Sequence, residues 1–248
     1  MNTDYFSSRA TVRRFSARPV DDALIENIVS RAMRAPTTGN MQLYTIIATR
    51  EPEMLARLAP THFNQPAATG CRAMLTVCAD FNRFTRWCEL SDADPGYDNL
   101  LSFVSAFCDA MIMAQQIVTI AEMEGLGTCY LGTVTYNADA ISELLGLPSL
   151  TVPVACIALG WPEAAGEPTE RLPLEAVLHK ETYRHDTDEK ILDLFKVKDE
   201  YGPNRKFIEE NGKSTLAQVF TDVRYPRAMN EEFSRKFDAL LREKGFLK

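Results

Sequence analysis

Apolar residues run almost unbroken from Leu100 to Met123, where LLSFVSAFCDAMIMAQQIVTIAEM contains neither Pro nor Gly. Phe103, Ala106, Phe107, Ala110, Met111, Ala114, Ile117, Val118 and Ala121 recur at helical spacing, which predicts a single helix. It would be on the order of 35 Å long. It is apolar on nearly all sides, so the pattern predicts burial against more than one neighbour, as the axis of a domain and as half of a dimer interface. Asp109, Gln115, Gln116 and Glu122 cut into the run and no basic flank marks an inner side, which argues against a membrane span. Gly125 reads as the glycine that ends the helix.

Shorter runs at residues 43–49 (LYTIIAT), 73–80 (AMLTVCAD) and 152–160 (VPVACIALG) predict buried strands. A helix opens after Pro19 with Asp21 or Asp22 as N-cap, and Leu24, Ile25, Ile28, Val29, Ala32 and Met33 form its buried stripe. Pro36 stops it. Short helices are expected over 52–58 and 137–145, the second ending at Gly146, and Tyr130-Leu-Gly132 is expected at a strand edge. Residues 84–99 read as a mobile surface loop whose Asp92 and Asp94 are solvated. From Asp186 onward charge dominates until Phe233, Phe237, Leu240 and Leu241 mark a final amphipathic helix. This tail reads as too polar for a core of its own and as an arm wrapped on a partner subunit.

The chain has 248 residues, 46% hydrophobic and 25% charged, enough for a sizeable core in one large domain or two small ones. A net charge of −7 argues against nucleic acid as the main partner. Six cysteines without a C-x-x-C, several inside apolar runs, read as reduced core thiols. With no leader signalled, they point to a cytoplasmic protein. His62, His179 and His185 lack metal-ligand spacing, so no metal site is expected.

Three stretches carry candidate chemistry. Residues 4–15 gather Arg9, Thr11, Arg13 and Arg14, either a solvated basic surface or an anion cradle whose guanidinium forks suit a phosphate. Residues 35–42 offer two hydroxyls, two amides and a glycine, either a plain turn or a site for a polyol chain or heterocycle edge. Gly125-Leu-Gly-Thr-Cys-Tyr-Leu-Gly132 has the wrong spacing for a dinucleotide fingerprint and follows a helix rather than a strand. Its last glycine would instead let backbone approach a flat ligand.

Four segments, taken together and in order, resemble the nitroreductase family, closest to its oxygen-insensitive NADPH nitroreductase and flavin reductase branch. They are Ser8-Arg-Ala-Thr-Val-Arg-Arg-Phe15, Pro36-Thr-Thr-Gly-Asn-Met-Gln42, Gly125 to Gly132, and Leu159-Gly-Trp-Pro162 with Arg171-Leu-Pro. Cys78-Ala-Asp-Phe-Asn-Arg83, with Gln65 thirteen residues before Cys78, matches that branch too. The resemblance implies an α+β, three-layer sandwich with a mainly antiparallel central sheet flanked by helices. It also implies a domain-exchanged homodimer with FMN at the interface, a flavin-binding core over residues 1–185 and a C-terminal arm over 186–248.

Carried over, the resemblance puts Arg9, Ala10, Thr11, Thr169 and Arg171 around the FMN phosphate, and Arg13 at the ribityl chain or the N1 edge. Ala10 and Thr169 stand where the branch often has arginine and lysine, which would leave the grip less charged. Thr37, Thr38, Asn40 and Gln42 would come from the partner subunit, and Gln65 would meet the pyrimidine edge. Tyr130, Leu131, Gly132 and Thr133 would line the flavin's other side. The implied activity is ping-pong hydride transfer from NAD(P)H through flavin N5 to nitroaromatics, quinones or free flavin, with no catalytic side chain besides Arg13 as an N1-side stabiliser. Reductive dehalogenation, other specialised flavin chemistry and a non-catalytic flavin-binding module are the alternatives. Lys213, Arg224, Arg227 and Arg235 are the tail cations available for NADPH.

Overall fold

The computed structural model describes residues 4–248. In chain order the elements are α1 (Asp4–Ser8), α2 (Asp22–Ala32), β1 (Tyr44–Thr49), α3 (Pro52–Leu58), α4 (Pro66–Gly70), β2 (Ala73–Asp80), α5 (Asn82–Leu90), α6 (Leu100–Met123), β3 (Gly127–Tyr130), α7 (Ala138–Leu144), β4 (Thr151–Gly160), α8 (Asp188–Glu200), α9 (Gly202–Glu210), α10 (Leu216–Val219) and α11 (Arg227–Glu243). The chain divides into two compact units. Among the described residues, one comprises 10–166 and 233–248, the other 4–9 and 167–232.

The larger unit is a three-layer α+β sandwich about an antiparallel sheet of order β1-β2-β4-β3. Every residue of β2 and β4 is buried, so both faces of the sheet are covered. Alternation sorts the side chains. Leu75, Val77, Ile157 and Leu159 join the cluster made with α2, α6 and the end of α11, while Met74, Cys156 and Ala158 join a second cluster with Leu58, Ala67, Cys129 and Leu131. Pro153, which has no N–H to donate, coincides with a register shift opposite Val77 and Cys78.

Helix α6 is the predicted axis. Ala106, Ala110, Met113, Ala114, Ile117, Val118 and Ala121 are fully buried, whereas Leu101, Val104, Cys108 and Ile112 are exposed along its other side. It is long and apolar enough to cross a membrane by composition, yet half of its most apolar window is buried in the protein. Asn99 caps it by accepting from the Ser102 N–H at 3.0 Å. At the other end Leu126 N–H bonds Ala121 C=O and Gly125 N–H bonds Glu122 C=O, with Gly125 at φ +88° as its position requires. Asp21, not Asp22, caps α2, accepting from Leu24 N–H at 2.7 Å.

The structure corrects three readings. Met33 lies past the end of α2 and is 47% exposed, so the stripe stops at Ala32. Residues 84–90 are not loop but the body of α5, because Asp80 accepts the Arg83 N–H at the start of the helix and Phe84 and Cys88 pack inward. Strand β3 ends at Tyr130, one residue before Leu131, and Gly132 opens a 3-10 turn. All six cysteines are free thiols. Burial pushes the Cys71 thiol up to about 11 and the Cys78 thiol up to about 12, so both stay protonated at neutral pH.

The smaller unit has its own apolar centre in Ile208, Leu216 and Val219, so residues 202–219 bury a modest core despite their charge. Glu170 accepts from Lys198 Nζ and Asn204 Nδ2, both at 3.0 Å, tying the stretch after Glu167 to α8 and α9.

Candidate functional site

Residues 12–16 run beside the sheet's end. Val12 N–H bonds Thr128 C=O at 3.0 Å, Ser16 N–H bonds Trp161 C=O at 2.8 Å, and Phe15 bridges Pro162. Two glycines make this approach possible. A Cβ on Gly127 would stand 2.7 Å from Val12 Cβ, and one on Gly160 would stand 2.7 Å from Phe15 Cβ. Ala10 lies against Gly166, whose added Cβ would be 2.9 Å from the Ala10 Cβ. The ribbon leaves Ala10 and Thr11 half-buried and Arg13 exposed. Arg9 and Arg171 belong to the smaller unit. There Arg171 Nη1 donates to Thr169 Oγ1 at 2.7 Å and to the Thr169 and Glu170 carbonyls, so Thr169 orients the guanidinium.

The loop before β1 is held by a residue to which the sequence pattern assigns no part in the site. Asp109, only 2% exposed in the apolar helix α6, accepts from Thr38 N–H at 2.8 Å, Thr38 Oγ1–H at 2.9 Å and Leu43 N–H at 3.3 Å. The sequence did carry the signal: a carboxylate inside a buried apolar helix needs partners. Arg83 closes the loop's other end, donating to the Gln42 and Tyr44 carbonyls at 2.9 and 3.0 Å. Thr37 Oγ1 accepts the Gln42 N–H at 3.3 Å. Thr38 thus spends its hydroxyl on Asp109. Gly39, Asn40 and Gln42 take left-handed φ of 54°, 57° and 56°, and Gly39 and Asn40 are exposed. Asparagine tolerates that region better than most residues.

A third group lies on the opposite side of the sheet. His62 is fully buried, with Nδ1 3.0 Å from Thr133 Oγ1 and Nε2 without a hydrogen bond. Burial pushes its pKa down to about 4, so the ring is neutral. Asn137 Nδ2 donates to Thr61 C=O at 2.7 Å. These two bonds join the segment ending in Gln65 to the turn of residues 132–135. Leu131 is 1% exposed and offers only backbone, and the Thr133 hydroxyl faces His62. Gly132 is exposed, and no atom lies within 4 Å of where its Cβ would be. His62 had no visible signal beyond its place between Leu58 and Gln65.

The arrangement has a counterpart among known proteins: the sequence pattern described as "Nitroreductase family" matches residues 6–161. The chain belongs to the nitroreductase family. As a member it is an enzyme of the nitroreductase and flavin oxidoreductase group. It is 32% identical over 182 residues to an oxygen-insensitive NADPH nitroreductase of Salmonella typhimurium, covering 73% of this chain and 74% of the relative. It is 29% identical over 224 residues to an FMN reductase [NAD(P)H] of Bacillus subtilis, covering 87% and 89%. A crystal structure from Bacteroides fragilis superposes with TM-score 0.97 at 41% identity, covering 99% of this chain and all of the other. NfrA2 of B. megaterium gives TM-score 0.84 at 28% identity, covering 100% and 99%.

Proposed function

We propose that this nitroreductase-family enzyme is an FMN-dependent NAD(P)H oxidoreductase reducing flat acceptors such as nitroaromatics, quinones or free flavin, and that it works as a homodimer. Bound FMN would supply the redox chemistry, accepting a hydride from NAD(P)H and passing electrons to the acceptor. The residues fit such a group. In the larger unit Arg13 offers a guanidinium fork for negative charge at the ring's N1 edge and Thr11 a hydroxyl; in the smaller unit Arg9 and Arg171, the latter oriented by Thr169, carry forks of the kind that suits a phosphate. Asn40 and Gln42 are carried on a loop fixed at both ends by Asp109 and Arg83. The observation that carries the reading is Gly132, an exposed glycine with open space in front of it, fixed beside the segment of Gln65 through the His62–Thr133 bond. A flat ring laid there would meet backbone rather than side chain.

The homodimer reading rests on the exposed apolar side of α6, where Leu101, Val104, Cys108 and Ile112 recur three and four residues apart. Within it, residues 37–42 serve the partner's flavin and residues 1–185 form the flavin-binding part; of the 186–248 extension, residues 186–232 supply the exchanged arm, since residues 233–248 pack into the larger unit of their own chain. Small-molecule turnover in the cytoplasm, without nucleic acid or membrane, completes the proposal. The test is a visible spectrum of the purified protein, followed by NADPH and then NADH without oxygen. Flavin absorption that bleaches and returns with a nitroaromatic or quinone supports the reading and ranks the donors. A protein that takes up no added FMN overturns it, and an elution mass of one chain removes the dimer.

A further inference from the structure

Phe63 is a costly choice where it stands. It caps the 3-10 turn Ala59–His62 in the left-handed region at φ +54°, a position where glycine serves without strain. Its ring is nevertheless 53% exposed. A bulky residue held in that conformation and left in solvent contributes little to folding, so the outlier points to a use for the ring itself.

The ring has company. Phe233 meets it edge-on, centroids 6.5 Å apart at 60°, and Tyr136 stacks on Phe233 at 4.4 Å with the planes 6° apart. The three side chains come from segments that already flank the candidate flavin site. Phe63 lies two residues before Gln65, and Tyr136 lies three after Thr133. The His62–Thr133 and Thr61–Asn137 bonds fix the spacing of those two segments. Lys236, one turn beyond Phe233, donates to Tyr136 C=O at 3.3 Å and pairs with Asp139 at 3.4 Å, holding α11 against the same turn. The aromatic group is therefore rigid, and one of its rings remains half open to solvent.

We propose that Phe63, Tyr136 and Phe233 form an aromatic shelf that receives the flat ring of the electron acceptor, with Phe63 as its exposed contact. This rests on the flavin reading above. The shelf favours aromatic acceptors over compact inorganic ones because only a flat ring gains from stacking or edge contact with it.

The test compares the wild type, Phe63→Leu and Phe63→Tyr, all loaded with FMN. Phe63 is exposed, so these variants keep the fold. Calorimetric titration with 2-naphthoate, a flat aromatic that hydride does not reduce, reads binding without turnover. The affinity is expected to fall about three- to tenfold in Phe63→Leu and to be retained in Phe63→Tyr. The ratio of KM for a nitroaromatic to KM for ferricyanide should rise by a similar factor in Phe63→Leu. If the ring were only a structural clamp, Phe63→Leu would lower Tm while leaving both the naphthoate affinity and the KM ratio unchanged. That result in a yellow protein bleached by NADPH overturns the shelf alone. A wild-type protein that takes up no FMN overturns the flavin reading and the shelf with it.

Discussion

The two faces of the sheet are built differently. The face toward α6 carries Leu75, Val77, Ile157 and Leu159 into a thick aliphatic layer. The opposite face carries Met74, Cys156, Ala158 and Cys129, with Thr76 and the fully buried His62 on the same side. The first layer supplies most of the apolar burial and so most of the driving force for folding. The second is thinner and softer, and segments proposed to flank the flavin, residues 61–65 and 131–137, are joined to each other over it by polar bonds. Shape-filling groups secure the fold, and directional hydrogen bonds set where the site's segments stand.

The largest effect that tests this contrast comes from truncating one fully buried side chain on each face. Ile157→Ala empties space inside the aliphatic layer and is expected to cost about 4 kcal/mol. Met74→Ala, also fully buried, is expected to cost about 2 kcal/mol, because the sulfur- and alanine-rich layer collapses more readily. Urea denaturation of both variants measures the difference. Equal losses would show that the two faces are equally rigid.

Acid should act on the second face through His62. His62 has its pKa lowered to about 4 from an ordinary 6.5, through burial. Between those values the unfolded chain binds the proton and the folded chain does not, so stability is present above pH 6.5 and drains away as pH falls toward 4. The loss from this one group is about 3 kcal/mol. Denaturation midpoints at pH 7 and pH 5 should therefore differ, and His62→Gln should remove much of the difference. A pH dependence unchanged in His62→Gln would place the acid sensitivity elsewhere.

One site segment breaks the pattern by hanging on the first side, and Asp109 is the reason. Asp109→Asn keeps an oxygen for Thr38 but turns an NH2 group toward the Leu43 N–H, two donors face to face. The expected cost is about 2 kcal/mol. Faster amide exchange at Thr38 and Leu43 should accompany it, together with weaker FMN binding. Lost stability with unaltered FMN affinity would remove residues 37–42 from the flavin site.

Much of this architecture was legible in the chain. Apolar runs, stripes and caps marked α6, β2 and α2, since burial and backbone satisfaction act locally and leave a periodic trace. What escaped was relational. Nothing local told that Gly127 and Gly160 are small to admit Val12 and Phe15, that Asp109 reaches back to Thr38, or that His62 meets Thr133, because each needs two segments far apart in sequence. The family resemblance named Thr11, Arg13, Asn40 and Gln42 without showing what holds them. Residues 84–90 read as loop in the sequence because a short helix with one buried face resembles a polar loop when Asp80, which accepts the Arg83 N–H, is counted only as the end of a strand.

The smallest effect concerns the ribbon that brings Thr11 and Arg13 to the sheet's end. In Gly160→Ala the new methyl carbon would stand 2.7 Å from Phe15 Cβ, close to the backbone of the ribbon rather than at the flexible end of a side chain. Phe15 is buried in the second layer and cannot swing away, so the ribbon itself must shift by a few tenths of an ångström or more. The soft layer absorbs part of the strain, and the expected cost is about 1 kcal/mol. Gly70→Ala is the control, since nothing lies within 4 Å of its added methyl. If the ribbon serves to place Thr11 and Arg13, Gly160→Ala should weaken FMN binding by more than its small loss in Tm suggests, while Gly70→Ala changes neither. A flavin affinity that follows Tm alone in both variants would mean that the ribbon's position is structural and that the phosphate grip lies elsewhere.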